Sequence, residues 1–178
     1  MNLSLLLSQL FNGLQTGSIY ALVALGYSMV YGIILLLNFA HGDIIMVGAY
    51  AVFTTLAAGG NLAIGVLASV IVCTLMGIII EKVAYRPLRG VTPIAVLITA
   101  IGVSYLLQSI AQLIFGAKAQ SVSLPSLGAV SIAGTNVSVS SILTMGISAV
   151  IMIALTLFIK KTRTGRAMLA VSEDLSLI

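Results

Sequence analysis

The sequence predicts an all-α fold, a polytopic integral membrane bundle with about five transmembrane helices in a single transmembrane domain over residues 1–178. Three observations carry this. First, 60% of the residues are hydrophobic and only 7% are charged, with a mean hydropathy of +1.22. Four acids and eight bases cannot cover the surface of a soluble domain of this length, so the solvent of the fold is lipid. Second, several apolar runs approach the ~20 residues that a helix needs to cross the hydrocarbon core. Third, the bases gather in two short clusters at the ends of such runs, which reads as membrane topology and not as a nucleic-acid surface despite the net charge of +4. A transmembrane barrel would need alternating strands of about ten residues, and none is present.

The elements follow in order. Ser4, Ser8, Asn12, Gln15 and Thr16 recur at helical spacing among leucines, making Asn2 to Thr16 an amphipathic segment that either lies in the interface or lengthens the first crossing. Crossing A runs from Gly17 to Leu37, B from Ile44 to Ala58, C from Leu62 to Ile80, D from Pro93 to Phe115 and E from Val139 to Ile159. B is the shortest. Between D and E, Gly116 to Ser138 is polar and carries Pro125 and Gly128, as expected of ordered turns or a short cap. The N-terminus lacks the basic start and small-residue cleavage site of a removable leader, so all of it is expected in the mature protein. Cys73 stands alone in an apolar run, which excludes a disulfide framework and zinc-ligand spacing.

Lys82, Arg86 and Arg89 follow C; Lys160, Lys161, Arg163 and Arg166 follow E; only Lys118 lies between D and E. The positive-inside rule places the C-to-D loop and the segment after E in the cytoplasm and the D-to-E loop outside. Counting back puts the A-to-B junction on the cytoplasmic side or within the membrane and the N-terminus outside, an assignment that a re-entrant or split A would reverse.

Crossing A carries small residues at Gly17, Ala21, Ala24, Ser28 and Gly32, a stripe along which another helix can approach closely. Tyr20, Tyr27 and Tyr31 lie on a neighbouring strip, either lining a path or serving as interfacial anchors. From Met1 to Ile80 the only acidic or basic side chains are His41 and Asp43, within "NFAHGD". Ionisable groups at membrane depth are costly and mark sites. The motif also reads as a helix junction, with Asn38 ending A, Gly42 permitting a turn and Asp43 capping B. Both readings of Asn38, His41, Gly42 and Asp43 stand. One His and one Asp are too few ligands for a metal.

"EKVAYRPLRG" reads as a cytosolic loop, with Pro87 stopping a helix and Tyr85 as an anchor. "KKTRTGRAMLAVSED" continues past the membrane with small and apolar residues among charged ones. It fits either a docking element for a soluble subunit or a basic segment on anionic lipid. No phosphate-binding loop, GxSxG elbow or HExxH helix occurs, so no catalytic residue, cofactor or metal is expected, and any uphill movement must draw on an ion gradient or another subunit.

"GSIYALVALGYSMVYGIILLLNFAHGDIIMVGAY", Gly17 to Tyr50, closely resembles the opening of bacterial branched-chain amino acid ABC transporter permeases of the high-affinity LivH type, and "EKVAYRPLRG" and "KKTRTGRAMLAVSED" resemble later landmarks in the same order. The resemblance implies a multi-pass bacterial inner-membrane subunit, not an enzyme. Its implied partners are a second homologous permease, two cytosolic ATP-binding subunits, a periplasmic amino-acid-binding protein and membrane lipid, with no nucleic acid. It places Gly165, Arg166, Ala167, Met168, Ala170, Glu173 and Asp174 in an ATPase-coupling segment that begins near residue 160. Leu169 stands where the family pattern expects a base, and Ile178 falls just inside that segment, so a C-terminally truncated permease is expected. Two other classes compete: an ion-coupled secondary transporter using His41 and Asp43, which should show an internal repeat that is not found, and a non-transporting membrane subunit.

Overall fold

The computed structural model describes residues 3–34, 38–88, 90–121, 128–132 and 135–173. Among the described residues it is mainly helical, with short connecting loops and one hairpin, in accord with the predicted class. The chain divides into two compact units, Met1–Leu35 with Leu124–Ile178 and Leu36–Ser123. Among the described residues, three helices are long and apolar enough to cross a membrane: Leu62–Leu88, Ile94–Phe115 and Val139–Lys161.

In the first unit, α1 (Leu3–Ile34) is one helix of 32 residues. The amphipathic segment therefore lengthens crossing A instead of forming a separate surface helix; the end expected for A, residues 35–37, lies outside the described residues. Where ordered turns were expected, β1 (Ala129–Ile132) and β2 (Thr135–Ser138) pair antiparallel, with Ala129 opposite Ser138 and Val130 opposite Val137. β2 leads directly into α5 (Val139–Lys161), and the Val139 amide donates to the Gly128 carbonyl at 3.1 Å.

α1 packs against β2, α5 and α6 (Arg163–Glu173). Buried Ser141, in the first turn of α5, donates to Gln15 Oε1 at 2.6 Å, a polar contact of the kind that joins helices where water is absent. The contacts fix a direction. α6 follows the far end of α5, yet also touches α1. From Gln15 onward α1 offers about 29 Å of helix, enough to run the length of α5, whereas the part before Gln15 offers only about 18 Å. α1 and α5 therefore run the same way.

In the second unit, α2 (His41–Ala57) and α3 (Leu62–Ile80) form a helical hairpin. Gly48 of α2 lies against Ser69 and Cys73, Gly65 of α3 against Val52, and the Cys73 thiol donates to the Ile44 carbonyl at 3.4 Å. Glycine at these positions lets the backbones close. The reversal uses Gly59 at φ +82°, a conformation open chiefly to glycine. Asn61 caps α3, its Oδ1 accepting from the Ile64 amide at 2.9 Å. α3 continues into a π-helical turn, Glu81–Tyr85, and a 3₁₀ turn, Arg86–Leu88. α4 (Pro93–Phe115) begins on a proline suited to a helix start and packs on α2 and on the π turn.

The structure begins α2 three residues earlier than the sequence suggests. Gly42 lies inside the first helical turn instead of forming a bend, with φ outside the left-handed region. The N-cap is Ala40, which makes no side-chain cap bond, so Asp43 does not cap α2.

Candidate functional site

The structure puts "NFAHGD" in the second unit as a polar knot that ties the start of α2 to the helices around it. Asn38 Oδ1 accepts from the Ala40 amide at 3.1 Å and from the Tyr85 hydroxyl of the π turn at 2.7 Å. The Asn38 carbonyl accepts from the His41 amide at 3.1 Å. Asn38 thus shapes the entry to α2 with its own oxygens, which relieves Asp43 of capping.

Asp43 is buried and turns its carboxylate toward α4. Oδ2 accepts from the Ser104 hydroxyl and Oδ1 from Gln108 Nε2 at 3.0 Å; Gln108 Nε2 also reaches Ser104 Oγ at 3.2 Å. Ser104 and Gln108 stand four residues apart on one face of α4, the spacing at which two side chains can meet a single partner. Both donors are neutral, so this is a hydrogen-bonded carboxylate and not an ion pair. Sequence reasoning missed Ser104 and Gln108. Polar residues at that spacing inside an apolar run are the signal that would have found them.

An expected consequence separates this geometry from capping. Asn can replace Asp as a cap at little cost. Here Asp43→Asn keeps one oxygen for Gln108 but turns its NH₂ toward Ser104, whose hydroxyl must reverse to accept it, so bonds to a carboxylate give way to weaker neutral ones at a cost of about 1 kcal/mol. Thermal unfolding in detergent should show Asp43→Asn clearly destabilised and Asp43→Leu more so. Equal stability of Asp43→Asn and the parent protein would contradict the arrangement.

In the first unit, the elbow between α5 and α6 is built on Thr162. Its amide and hydroxyl both donate to the Phe158 carbonyl, at 3.0 and 2.7 Å. Its Oγ1 accepts from the Gly165 amide at 3.0 Å and its carbonyl from the Arg166 amide at 3.0 Å. One extended residue, φ −87° and ψ 153°, thereby ends α5 and caps α6. Gly165 is buried so tightly that an added Cβ would meet the Phe158 carbonyl oxygen at 2.6 Å and the Ile159 backbone. Arg166 and Ala167 are exposed beside it. The side chains of Met168 and Glu173, and Asp174 altogether, lie outside the described residues. Thr162 is a third residue the sequence reading passed over, although threonine before a helix start is a common cap.

Of the tyrosines on α1, Tyr20 and Tyr31 are 69% and 47% exposed and Tyr27 is half-buried. Gly17, Ala24 and Ser28 of the small-residue stripe are exposed too, and a Cβ at Gly17 or Gly32 would touch nothing within 4 Å. Among the described glycines, Gly17 and Gly32 of the stripe make no close approach, whereas Gly48, Gly65 and Gly165 do.

The model of the family described as branched-chain amino acid transport system / permease component matches residues 9–178. The chain belongs to this permease family. It is 43% identical to the high-affinity branched-chain amino acid transport system permease protein BraD of Pseudomonas aeruginosa. It is 42% identical to the LivH protein of the same description in Salmonella typhimurium and 40% to that of Escherichia coli. Each alignment takes in 96% of this chain and 60% of the relative, so the chain spans about 60% of the length of the curated relatives it matches. No solved structure matches it. The permease is a multi-pass protein of the bacterial inner membrane. Its matched region holds the polar knot, the elbow and the three helices suited to crossing.

Proposed function

We propose that this permease is a pathway-forming subunit of an ATP-binding cassette importer that carries leucine, isoleucine or valine inward. In that assembly it pairs with a second, related permease, receives substrate from a periplasmic binding protein and is driven by two cytosolic ATP-hydrolysing subunits. The observation that supports this most is 40–43% identity across 96% of the chain to permease proteins of high-affinity branched-chain amino acid transport systems. The chain contributes one transmembrane permease domain. α6, with Gly165, Arg166, Ala167, Met168, Ala170, Glu173 and Asp174 in or just after it, is the coupling segment. Its rigid seat on the end of α5 supports that role, because a push on α6 would pass directly into a spanning helix. Tyr20, Tyr27 and Tyr31 face the path, and Asn38, His41, Gly42 and Asp43 act as the junction that keeps α2 in register with α4.

The test is uptake of leucine into membrane vesicles carrying the whole transporter and its binding protein, with ATP regenerated and an uncoupler present. Uptake should persist at nearly its full rate and should require ATP hydrolysis. Collapse of uptake on addition of the uncoupler alone would replace the ATP-driven reading with an ion-coupled one. Cysteines placed at Arg166 or Ala167 should crosslink to the ATP-hydrolysing subunit, and labelling of those positions from the periplasmic side would refute the coupling role.

A further inference from the structure

The second unit contains a groove of about 510 Å³ between α3 and α4, floored by α2. Its walls are almost wholly hydrocarbon: Val47 and Ala51 of α2, Met76 and Val83 of α3 and its π turn, Leu106 and Ile110 of α4. It extends from Val83 and Ala84 at one end to Ile114 and Phe115 at the other. Phe115 there stacks on Tyr50, centroids 4.1 Å apart, and meets Phe53 edge-on at 6.4 Å. The groove is open, with Val83, Leu106 and Ile114 each more than half exposed.

Cys73 of α3 lies beside Ile44, and Ser104 and Gln108 of α4 beside Asp43, so Ala84 and Phe115 stand on opposite sides of that level and, at about 1.5 Å per residue, the groove is roughly 28 Å long. One leaflet of a hydrocarbon core of ~30 Å is about 15 Å deep. The half of the groove beside Val83 and Ala84 therefore has the length of a single acyl tail, and the stacked rings stand at the opposite end. Charge distinguishes its two ends. Lys82 and Arg86 are exposed on the turn that carries Val83 and Ala84, beside half-buried Glu81, and Lys118 is the one base just past Phe115. The Lys82 end is the cytoplasmic one by the positive-inside rule, and the lipid surface there is the anionic one. Long basic side chains can lie along the apolar wall while their charged heads reach a phosphate.

We infer that this groove is a binding site for one anionic phospholipid of the cytoplasmic leaflet, its acyl tail lying between α3 and α4 and its phosphate held by Lys82 and Arg86. The lipid fills space that the hairpin and α4 leave open, and so holds α4 against the π turn.

The chain has no tryptophan, so a Leu106→Trp variant carries a single reporter on the groove wall, and Leu157→Trp on α5 serves as a reporter outside it. Each is reconstituted in phosphatidylcholine bilayers with rising fractions of brominated phosphatidylglycerol or brominated phosphatidylcholine as quencher. Leu106→Trp should reach half-maximal quenching at a phosphatidylglycerol fraction at least threefold below that for phosphatidylcholine, and Leu157→Trp should show no preference. K82Q/R86Q should abolish the preference and Lys118→Gln should leave it. Native mass spectrometry of the protein without a reporter should find one retained phosphatidylglycerol, lost in K82Q/R86Q, which keeps the test valid if Leu106→Trp misfolds. Equal quenching by both lipids at Leu106→Trp means exchange with bulk lipid only and overturns the inference. So does the absence of quenching by either, which means that a protein helix fills the groove, and so does loss of the preference in Lys118→Gln.

Discussion

Gly165→Leu should reduce uptake by the proposed ATP-driven assembly at least tenfold while α1 and α5 remain in the membrane. Even the first carbon of any new side chain points at main chain, the Phe158 carbonyl oxygen at 2.6 Å and the backbone of Ile159. Main chain inside a helix cannot rotate aside as a side-chain tip can. Overpacking of a tight site costs about 1–3 kcal/mol and at times more, and a contact with no escape belongs at the upper end. A cost of about 3 kcal/mol lowers the seated population of α6 roughly a hundredfold relative to the unseated one. Gly165→Ala should show the same defect in reduced degree. Two measurements check this: the uptake rate of the whole transporter, and the rate of tryptic cleavage at Arg163 and Arg166 in inside-out vesicles, which should rise as α6 leaves its seat. Unchanged cleavage together with normal uptake would show that Gly165 is not what holds the elbow.

The second large effect is expected at Gly48, and here its sign depends on the background. A Cβ at Gly48 would lie 2.8 Å from both Cys73 Sγ and Ser69 Oγ, which are side-chain tips and not backbone. Gly48→Ala gains about 1 kcal/mol of helix propensity but meets an overpacking cost of about 1–3 kcal/mol, so it should destabilise the α2–α3 hairpin. Removing the two obstructing atoms with S69A/C73A should reverse this and make Gly48→Ala stabilising by up to about 1 kcal/mol. Gly48→Leu should prevent the hairpin from closing in either background. Thermal unfolding of the single, double and triple variants in one detergent checks the sign change. A destabilisation that persists in S69A/C73A would place the obstruction in the backbone.

Much of this architecture was legible along the chain, because hydropathy is a local property. The limits of C and D match α3 and α4 end for end, and E differs from α5 only by the last two lysines. Three of these limits are marked by a feature that needs no knowledge of neighbours: Asn61 as cap, Pro93 as first residue, Gly116 at φ +80° as stop. The hairpin between α4 and α5 was not visible, since Ala129–Ile132 and Thr135–Ser138 are strands of four residues without strong alternation. They pair because β2 is carried against α1 by the start of α5.

"NFAHGD" shows the boundary most clearly. Its cost in lipid is a property of six adjacent residues; composition, run length and the placement of bases determine from the chain alone that this is a polytopic membrane protein, and the resemblance of Gly17 to Tyr50 and two later stretches points to the permease family. What Asp43 does is not a property of those residues. The sequence makes it a plausible cap, and a cap it would be if α2 stood alone. Packing brings Ser104 and Gln108, 61 and 65 residues away, within reach of its carboxylate, and Asn38 takes over the turn. In a medium without water a buried carboxylate goes where donors are fixed for it. Which donors those are depends on how two distant helices lie in register, so only the folded second unit decides it.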